Sequence, residues 1–178
     1  MDNNLILKAA YFSAQKHRGQ RRKDEDASPY INHPLQVAIL LSDLGKVDDS
    51  DILAAALLHD TIEDTGTLPE ELEQLFGHRI RKLVEEVTDD KSLPKEERKI
   101  RQIEHAKELS VGATLIKLGD KISNVLDVTN NPPSNWSIDR RRQYFDWAEA
   151  VIKNCPKVNL ELEEYFRKVV KAGREKLL

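Results

Sequence analysis

The sequence predicts an all-α fold, a single-domain bundle of about eight to ten helices. Apolar residues recur three and four positions apart along most of the 178 residues, as in Ile80, Leu83, Val84 and Val87. No β-hairpin signal, internal repeat or low-complexity tract interrupts this pattern. Glycines that favour the end of a helix follow several periodic segments, namely Gly45, Gly66 and Gly77.

Nine segments carry the helical period. In chain order they are 3–17, 33–44, 49–64, 68–76, 78–90, 94–108, 111–128, 137–154 and 158–176. The second segment has Pro34 as its first helical residue, so that Asn32 or His33 can cap it. The fourth begins with the four residues 67–70, Thr-Leu-Pro-Glu, which are typical of a capping box with proline in the first turn. The last has one apolar face, which suits either the core or a homodimer interface.

The composition indicates one domain, residues 1–178, of a soluble cytoplasmic protein. A chain of this length buries roughly 70% of its unfolded surface. No apolar run reaches the roughly 20 residues that span a bilayer, and no signal peptide is evident at the N-terminus. The one cysteine, Cys155, fits a reducing compartment. The net charge of −3 argues against a nucleic-acid partner.

The segment 53–64 ends an apolar helical pattern with four ionisable residues. His59, Asp60, Glu63 and Asp64 would share one edge of a continuous helix. There are plain alternatives: an adjacent His-Asp pair is common by chance, and the Glu-Asp pair could simply be a solvated helix end. Buried, however, these charges would need a cation or partner to offset a cost of several kcal/mol. The segment therefore predicts a metal site beside an acid/base pair.

Two further segments supply the remaining ligands. His33 stands at the start of the second helix, and Asp120, Asn124 and Asp127 share one face of the helix 111–128. Each of these alone is more often a structural or solvated residue. Together with the His-Asp pair they predict four ligands from three helices: His33, His59, Asp60 and Asp120. Two imidazoles with two carboxylates suit manganese, iron or zinc, and not calcium or a thiolate-bound zinc.

The other histidines do not suggest a second ion. The chain has five histidines, and His17, His78 and His105 lack ligand spacing. We interpret these three as surface or packing residues, which disfavours a two-metal phosphodiesterase.

Basic residues cluster before the first ligand and again in the helix 137–154. Arginine binds phosphate bidentately and stacks on flat bases, so these clusters favour an anionic substrate even though solvated helix ends are the plain alternative. The first cluster is Arg18, Arg21, Arg22 and Lys23, and the second is Arg140, Arg141 and Arg142. Lys91, Lys95 and Arg98 are further basic candidates.

Three motifs resemble the hydrolase domain of the Rel/SpoT proteins, within the HD-domain phosphohydrolase superfamily. They are Tyr-Ile-Asn-His-Pro at 30–34, His-Asp-Thr-Ile-Glu-Asp at 59–64 and Leu-Gly-Asp-Lys-Ile-Ser-Asn at 118–124. The likeness covers about residues 10–150 and is closest to the small single-domain alarmone hydrolases of the metazoan SpoT-homologue type. The resemblance implies the HD-domain helical fold and removal of the 3′-pyrophosphate of ppGpp or pppGpp, giving GDP or GTP and pyrophosphate.

The resemblance also implies roles for individual residues. The usual metal is manganese, and Arg22 would stack on guanine with Lys23 nearby. Arg140 and Tyr144 would contact the ribose or the 5′-phosphates. Chemistry assigns the rest: Glu63 and Asp64 would divide the tasks of activating water and protonating the leaving 3′-oxygen, in an order that the sequence leaves open. Asn124 would hydrogen-bond substrate or a metal ligand.

Two other functions remain open at this point. One is a phosphohydrolase of another nucleotide, such as one that removes the 2′-phosphate of NADPH. The other is a metal-bound module that senses alarmone without turnover, which the intact pair Glu63 and Asp64 disfavours. From its length and this resemblance we expect hydrolysis without synthesis, and production of ppGpp from ATP and GDP would contradict that expectation.

Overall fold

Helices form the regular secondary structure, and the all-α prediction is confirmed. The computed structural model describes residues 2–178, in which there are ten α-helices, an isolated β-bridge between Arg21 and Pro29, and no strands. The helices are α1 (Asn3–Lys16), α2 (Asn32–Ile39), α3 (Ser50–Leu58), α4 (Thr61–Thr65), α5 (Pro69–Phe76), α6 (His78–Val87), α7 (Lys95–His105), α8 (Val111–Asn130), α9 (Ile138–Asn154) and α10 (Leu160–Glu175). A π-helical turn, Leu40–Leu44, extends α2, and a 3₁₀ turn, Ala106–Glu108, follows α7.

The predicted helix 49–64 is wrong in one respect, because it is two helices. α3 ends at Leu58, and Asp60 precedes α4 with φ −98° and ψ −1°. The hydroxyl of Thr61 donates to the carbonyl of Leu58 at 2.7 Å and so occupies an acceptor at the end of α3. Successive side chains on a continuous helix point about 100° apart, so they do not face a common point. The break between α3 and α4 lets the side chains of His59 and Asp60 face one common point.

The start of α2 also differs from the prediction. α2 begins at Asn32, and no side chain caps it. The amide of Asn32 donates to the carbonyl of Pro29 at 3.1 Å, and that of His33 donates to Tyr30 at 3.0 Å. A tight turn ahead of the helix therefore satisfies the amides that a cap would serve.

The predicted capping box at α5 is wrong as well. Pro69 is the first residue of α5, as expected, but Leu68 precedes it without a side-chain cap. The Thr67 hydroxyl lies 2.8 Å from the hydroxyl of Thr65 instead. The glycine predictions are better: Gly66 and Gly77 follow α4 and α5 with positive φ, 69° and 88°.

The helix α8 runs through the centre of the fold and positions the site. Most of its 20 residues are buried, and it packs against α2, α3, α6, α9 and α10. The apolar face of α10 packs into this core through Leu162, Phe166, Val169 and Val170. That face therefore serves the core, and homodimer formation stays a prediction. Within residues 2–178, no helix is both long and apolar enough to span a bilayer.

The contact of α10 with its neighbours gives a stability prediction. A methyl carbon at Gly173 would lie 2.6 Å from Oγ1 of Thr129 and 2.8 Å from Cζ of the buried ring of Phe145. We expect Gly173→Ala to lower the free energy of unfolding by about 1–3 kcal/mol through overpacking, although alanine is the better helix former by about 1 kcal/mol. Urea unfolding measures this. Gly19→Ala is the control, because no atom lies within 4 Å of its added carbon. Equal stability of the Gly173 variant and wild type would contradict the packing argument.

Candidate metal centre and active site

The structure brings the four predicted metal ligands together. Nε2 of His59 lies 3.1 Å from Oδ2 of Asp60, and Nε2 of His33 lies 3.2 Å from Oδ1 of Asp120. The cross distances are 3.7 Å from His33 to Asp60 and 3.9 Å from His59 to Asp120. The ligands come from the first turn of α2, the break between α3 and α4, and the middle of α8. Both imidazole rings are buried.

Hydrogen bonds behind the two imidazoles orient both Nε2 atoms toward the cluster. The hydroxyl of Ser123 donates to Oε1 of Gln36 at 2.7 Å, so it accepts from Nδ1 of His33 at 2.8 Å. Nδ1 of His59 donates to the carbonyl of Ala56 at 2.8 Å. With the hydrogen on Nδ1, each ring presents the Nε2 lone pair that a metal ion binds.

The two carboxylates are held in the same way. The Tyr30 hydroxyl donates to Oδ2 of Asp60 at 2.6 Å. Asp120 accepts from Nζ of Lys121 at 3.1 Å and from Nδ2 of Asn124 at 2.5 Å. These contacts fix the direction of both carboxylates and leave room for a shared cation between them and the imidazoles.

The donor set fits a divalent ion. Nε2 of His59 is buried and has no hydrogen-bond partner, although Oδ2 of Asp60 lies 3.1 Å away. Ligand atoms of His33, His59 and Asp60 lie within 4.8 Å of one another. Burial alone would lower the pKa of His59, but the charges of Asp60 and Asp120 outweigh it and raise that pKa to about 9. A cation at the cluster would take the place of that proton.

Glu63 and Asp64, on α4, lie beside the cluster, but their surroundings differ. Oε2 of Glu63 accepts from the backbone amide of Asp89 at 3.1 Å, and Arg98 lies 3.7 Å from Oε1. Burial raises the pKa of Glu63 to about 7, although the amide of Asp89 opposes the shift, and the negative charges of Asp89, Asp60 and Asp64 add to it. A carboxyl with this pKa exchanges a proton at neutral pH.

Asp64 has two partners. Its Oδ2 accepts from Nε2 of Gln20 at 2.7 Å, and its Oδ1 forms an ion pair with Lys91. Gln20 is a residue that the sequence did not single out. Lys91 was one of the weaker basic candidates, and the structure places it against Glu63 and Asp64, the acid pair.

Asn124 links the metal cluster to a basic side chain. While its Nδ2 donates to Asp120, its Oδ1 accepts from Arg22 at 2.9 Å. The guanidinium of Arg22 also pairs with Asp127, through Nη2 at 2.5 Å and Nε at 3.1 Å. Asp120, Asn124 and Asp127 therefore share one face of α8, as predicted, and Asp127 pairs with Arg22.

The substrate-sized space is a cavity of about 960 Å³. A smaller cavity of about 140 Å³ contains the metal ligands and adjoins it, because the two share Tyr30, Glu63 and Asn124. All the residues predicted to bind substrate line the larger cavity, together with the weaker basic candidates: Arg22, Lys23, Arg140, Tyr144, Lys91, Lys95 and Arg98. Arg18, Arg141 and Arg142 do not line it, and Arg142 instead donates to the carbonyl of Leu177.

An aromatic wall on one side of the cavity was not predicted beyond Tyr144. The ring of Tyr144 contacts Trp136 and Trp147, with centroids 5.6 and 5.4 Å apart. Arg140 lies over Trp136 at 4.6 Å, and Lys121 lies over Trp147 at 4.3 Å. The three-residue spacing of Tyr144 and Trp147 on α9 was a readable signal. Trp136 lies in the loop before α9, so only the fold reveals its position.

The remaining histidines occupy the predicted kinds of position. His17 is buried, and His78 and His105 are exposed. Residues 2–178 contain one cluster of three or more close His, Cys, Asp or Glu ligand atoms, which is the one already described.

The chain is similar to known proteins over most of its length. The chain is 53% identical over 162 residues to the guanosine-3′,5′-bis(diphosphate) 3′-pyrophosphohydrolase MESH1 of Xenopus tropicalis, covering 91% of this chain and 90% of the relative. It is 50% identical over 166 residues to the human enzyme of that name, covering 93% of each. A bacterial relative, the GTP pyrophosphokinase rsh of Brucella melitensis, is 43% identical over 130 residues, which cover 69% of this chain and 17% of the relative.

A solved structure shares the whole fold. It is described as a metazoan orthologue of SpoT that hydrolyses ppGpp and plays a role in starvation responses. The TM-score is 0.93 at 43% identity, and the match covers 100% of this chain and 99% of the other. The HD domain family itself matches residues 9–144, a range that contains the four predicted ligands as well as Glu63 and Asp64. The chain therefore belongs to the HD domain family.

Proposed function

We propose that this protein is a manganese-dependent hydrolase that removes the 3′-pyrophosphate of ppGpp and pppGpp. The observation that carries the proposal is one arrangement: a cluster of two imidazoles and two carboxylates, with the acid pair Glu63 and Asp64 beside it, opening into a cavity lined with basic side chains. The relatives named for this reaction, at about 50% identity over most of the chain, support it.

We assign the metal to His33, His59, Asp60 and Asp120, and propose manganese because two nitrogen and two oxygen donors suit a borderline divalent ion. When bound there, the ion supplies Lewis-acid polarisation of the phosphoryl group and activation of water. The protein orients these four ligands through Ser123, Ala56, Tyr30, Lys121 and Asn124, as described above.

The acid pair then divides the proton transfers. Water attacks the phosphorus that is bonded to the 3′-oxygen, and the bond between that phosphorus and the 3′-oxygen breaks. The 3′-oxygen is the leaving group, and the products are pyrophosphate and GDP or GTP with a free 3′-hydroxyl. We assign protonation of the 3′-oxygen to Glu63, because burial raises its pKa and so favours the protonated carboxyl that a general acid needs. We assign to Asp64 the orientation of the attacking water and the acceptance of its proton, because the hydrogen bond from Gln20 fixes the direction of this carboxylate.

The cavity supplies contacts for a nucleotide with two pyrophosphate groups. We propose that Arg22 stacks on the guanine with Lys23 beside it, and that Arg140 and Tyr144 contact the ribose or the 5′-phosphates. Burial and the nearby positive charges of Arg140 and Lys99 lower the pKa of Lys95. Cations that repel one another in this way favour a bound polyanion.

The decisive experiment is turnover of ppGpp by metal-stripped protein to which manganese is added back. We expect GDP and pyrophosphate, resolved by chromatography, in the presence of the ion only. His59→Ala should abolish both turnover and the rise in melting temperature that manganese causes, because a ligand that binds only the folded state stabilises it. His105→Ala, at an exposed histidine, should behave as wild type. No turnover by wild type with manganese bound would contradict the proposal, and NADPH would then be the next substrate to test.

The acid pair is tested by neutral substitutions. Glu63→Gln and Asp64→Asn should each lower kcat by about 10²-fold or more, because general acid–base catalysis contributes about 10²–10⁴. The dissociation constant of ppGpp should stay within a few-fold of the wild-type value. The control is Glu104→Gln, at an exposed position on α7. Full activity in either variant would show that its carboxyl is not catalytic.

Glu63 also gives a pH prediction for the metal-free protein. Its ordinary pKa of 4.5 is raised to about 7 on folding, so the folded state keeps a proton that the unfolded state loses between these values, and stability falls as the pH rises through them. Glu63→Gln removes this cost. We therefore expect the variant to gain stability relative to wild type by on the order of 3 kcal/mol between pH 5 and pH 8.

Urea unfolding at a series of pH values measures this difference, with Glu104→Gln again as control. Comparing the variant with wild type cancels the contributions of other groups that titrate in the same range. A difference that does not change with pH would contradict the raised pKa of Glu63.

A further inference from the structure

His17 lies one layer behind the active site. Its ring is 2% exposed and stacks on Tyr30, with centroids 4.8 Å apart and planes inclined by 30°. Nδ1 of the ring is 2.7 Å from Oε1 of Gln20. Nε2 of the same glutamine donates to Oδ2 of Asp64 at 2.7 Å. A continuous chain of hydrogen bonds therefore runs from His17 through Gln20 to the acid pair.

The direction of this chain follows from its last member. An ionised carboxylate only accepts hydrogen bonds, so Gln20 must turn its NH₂ group toward Asp64 and its oxygen toward His17. That oxygen also only accepts, so Nδ1 of His17 must carry a hydrogen. The other ring nitrogen, Nε2, is buried without a partner. The bond to Gln20 is thus the hydrogen bond that the ring makes.

Gln20 is itself held rigidly. Its backbone N–H donates to the backbone carbonyl of His17 at 2.9 Å, and its backbone carbonyl accepts from the backbone N–H of Tyr30 at 3.2 Å. The second partner of Asp64, Lys91, has a side chain that is 47% exposed. Ion pairs to exposed lysines restrain little, because the long side chain is mobile and screened by solvent. Of the two partners, Gln20 is the one that can fix the rotamer of Asp64.

We propose that His17 is a positioning residue for Asp64, acting through Gln20. The Nδ1–H group locks the orientation of the Gln20 amide, and the NH₂ group of that amide holds the carboxylate toward the substrate cavity. Without the donor on residue 17, the amide can turn its oxygen toward Asp64, where two acceptors repel. This inference rests on the proposed function, in which Asp64 orients the attacking water.

Two substitutions separate the hydrogen bond from the packing. Asparagine at position 17 can place an N–H where Nδ1 stands but gives up the ring, whereas phenylalanine keeps the ring on Tyr30 and has no donor. We expect His17→Phe to lower kcat for ppGpp by about tenfold to a hundredfold, the scale of a misplaced catalytic group. KM and the affinity for manganese should not change. His17→Asn should stay within about threefold of wild type.

The opposite order, with the phenylalanine variant active and the asparagine variant impaired, would show a packing role and overturn the proposal. Equal losses in the two variants would also overturn it. Melting temperatures, measured in parallel, identify any loss of activity that comes from unfolding.

A second measurement needs neither turnover nor a variant. Nitrogen NMR of the full chain, labelled at its histidine rings and loaded with diamagnetic zinc in place of manganese, reports which ring nitrogen of His17 carries the hydrogen. Hydrogen on Nδ1 supports the proposal, and hydrogen on Nε2 alone overturns it. If wild type fails to hydrolyse ppGpp, the proposed function fails by itself, and the NMR result still decides whether His17 holds Gln20.

Discussion

The burial of two imidazoles against two carboxylates is the constraint on which the rest of this structure depends. Charges removed from water are costly unless each finds a partner. Here the side chains of Tyr30, Lys121 and Asn124 and the cluster itself supply partners. The helix break after Leu58 and the buried central helix α8 both follow from the need to bring His59, Asp60 and Asp120 to one point.

The sequence predicts which side chains gather at the cluster better than it predicts the backbone that brings them there. His33, His59, Asp60 and Asp120 stand out because polar residues interrupt apolar helical patterns, which is a local signal. The break between α3 and α4 is not local in this sense, since the alanine and leucine run before it favours a continuous helix. What ends the helix is the geometry of the cluster, to which residues from α2 and α8 contribute.

Contacts between distant parts of the chain escape sequence reasoning for the same reason. Gln20 and Asp64 are 44 positions apart, and Arg22 and Asp127 are 105 positions apart. Neither pair shares a helix, so no periodicity relates its members. Ser123 is partly predictable, because it lies three residues after Asp120 on α8. Its hydrogen bond with His33, however, follows only from the packing of α2 on α8.

The tethering of Arg22 has a consequence for the thermodynamics of binding. An unrestrained arginine carries about 2 kcal/mol of rotamer entropy, which it loses when a ligand orders it. Asp127 and Asn124 restrict the Arg22 side chain through contacts within the folded protein. In the proposed complex, a base that stacks on this guanidinium meets a side chain already ordered by folding. Most of the entropic cost of ordering Arg22 is then part of protein stability, and little of it reduces the affinity for the nucleotide.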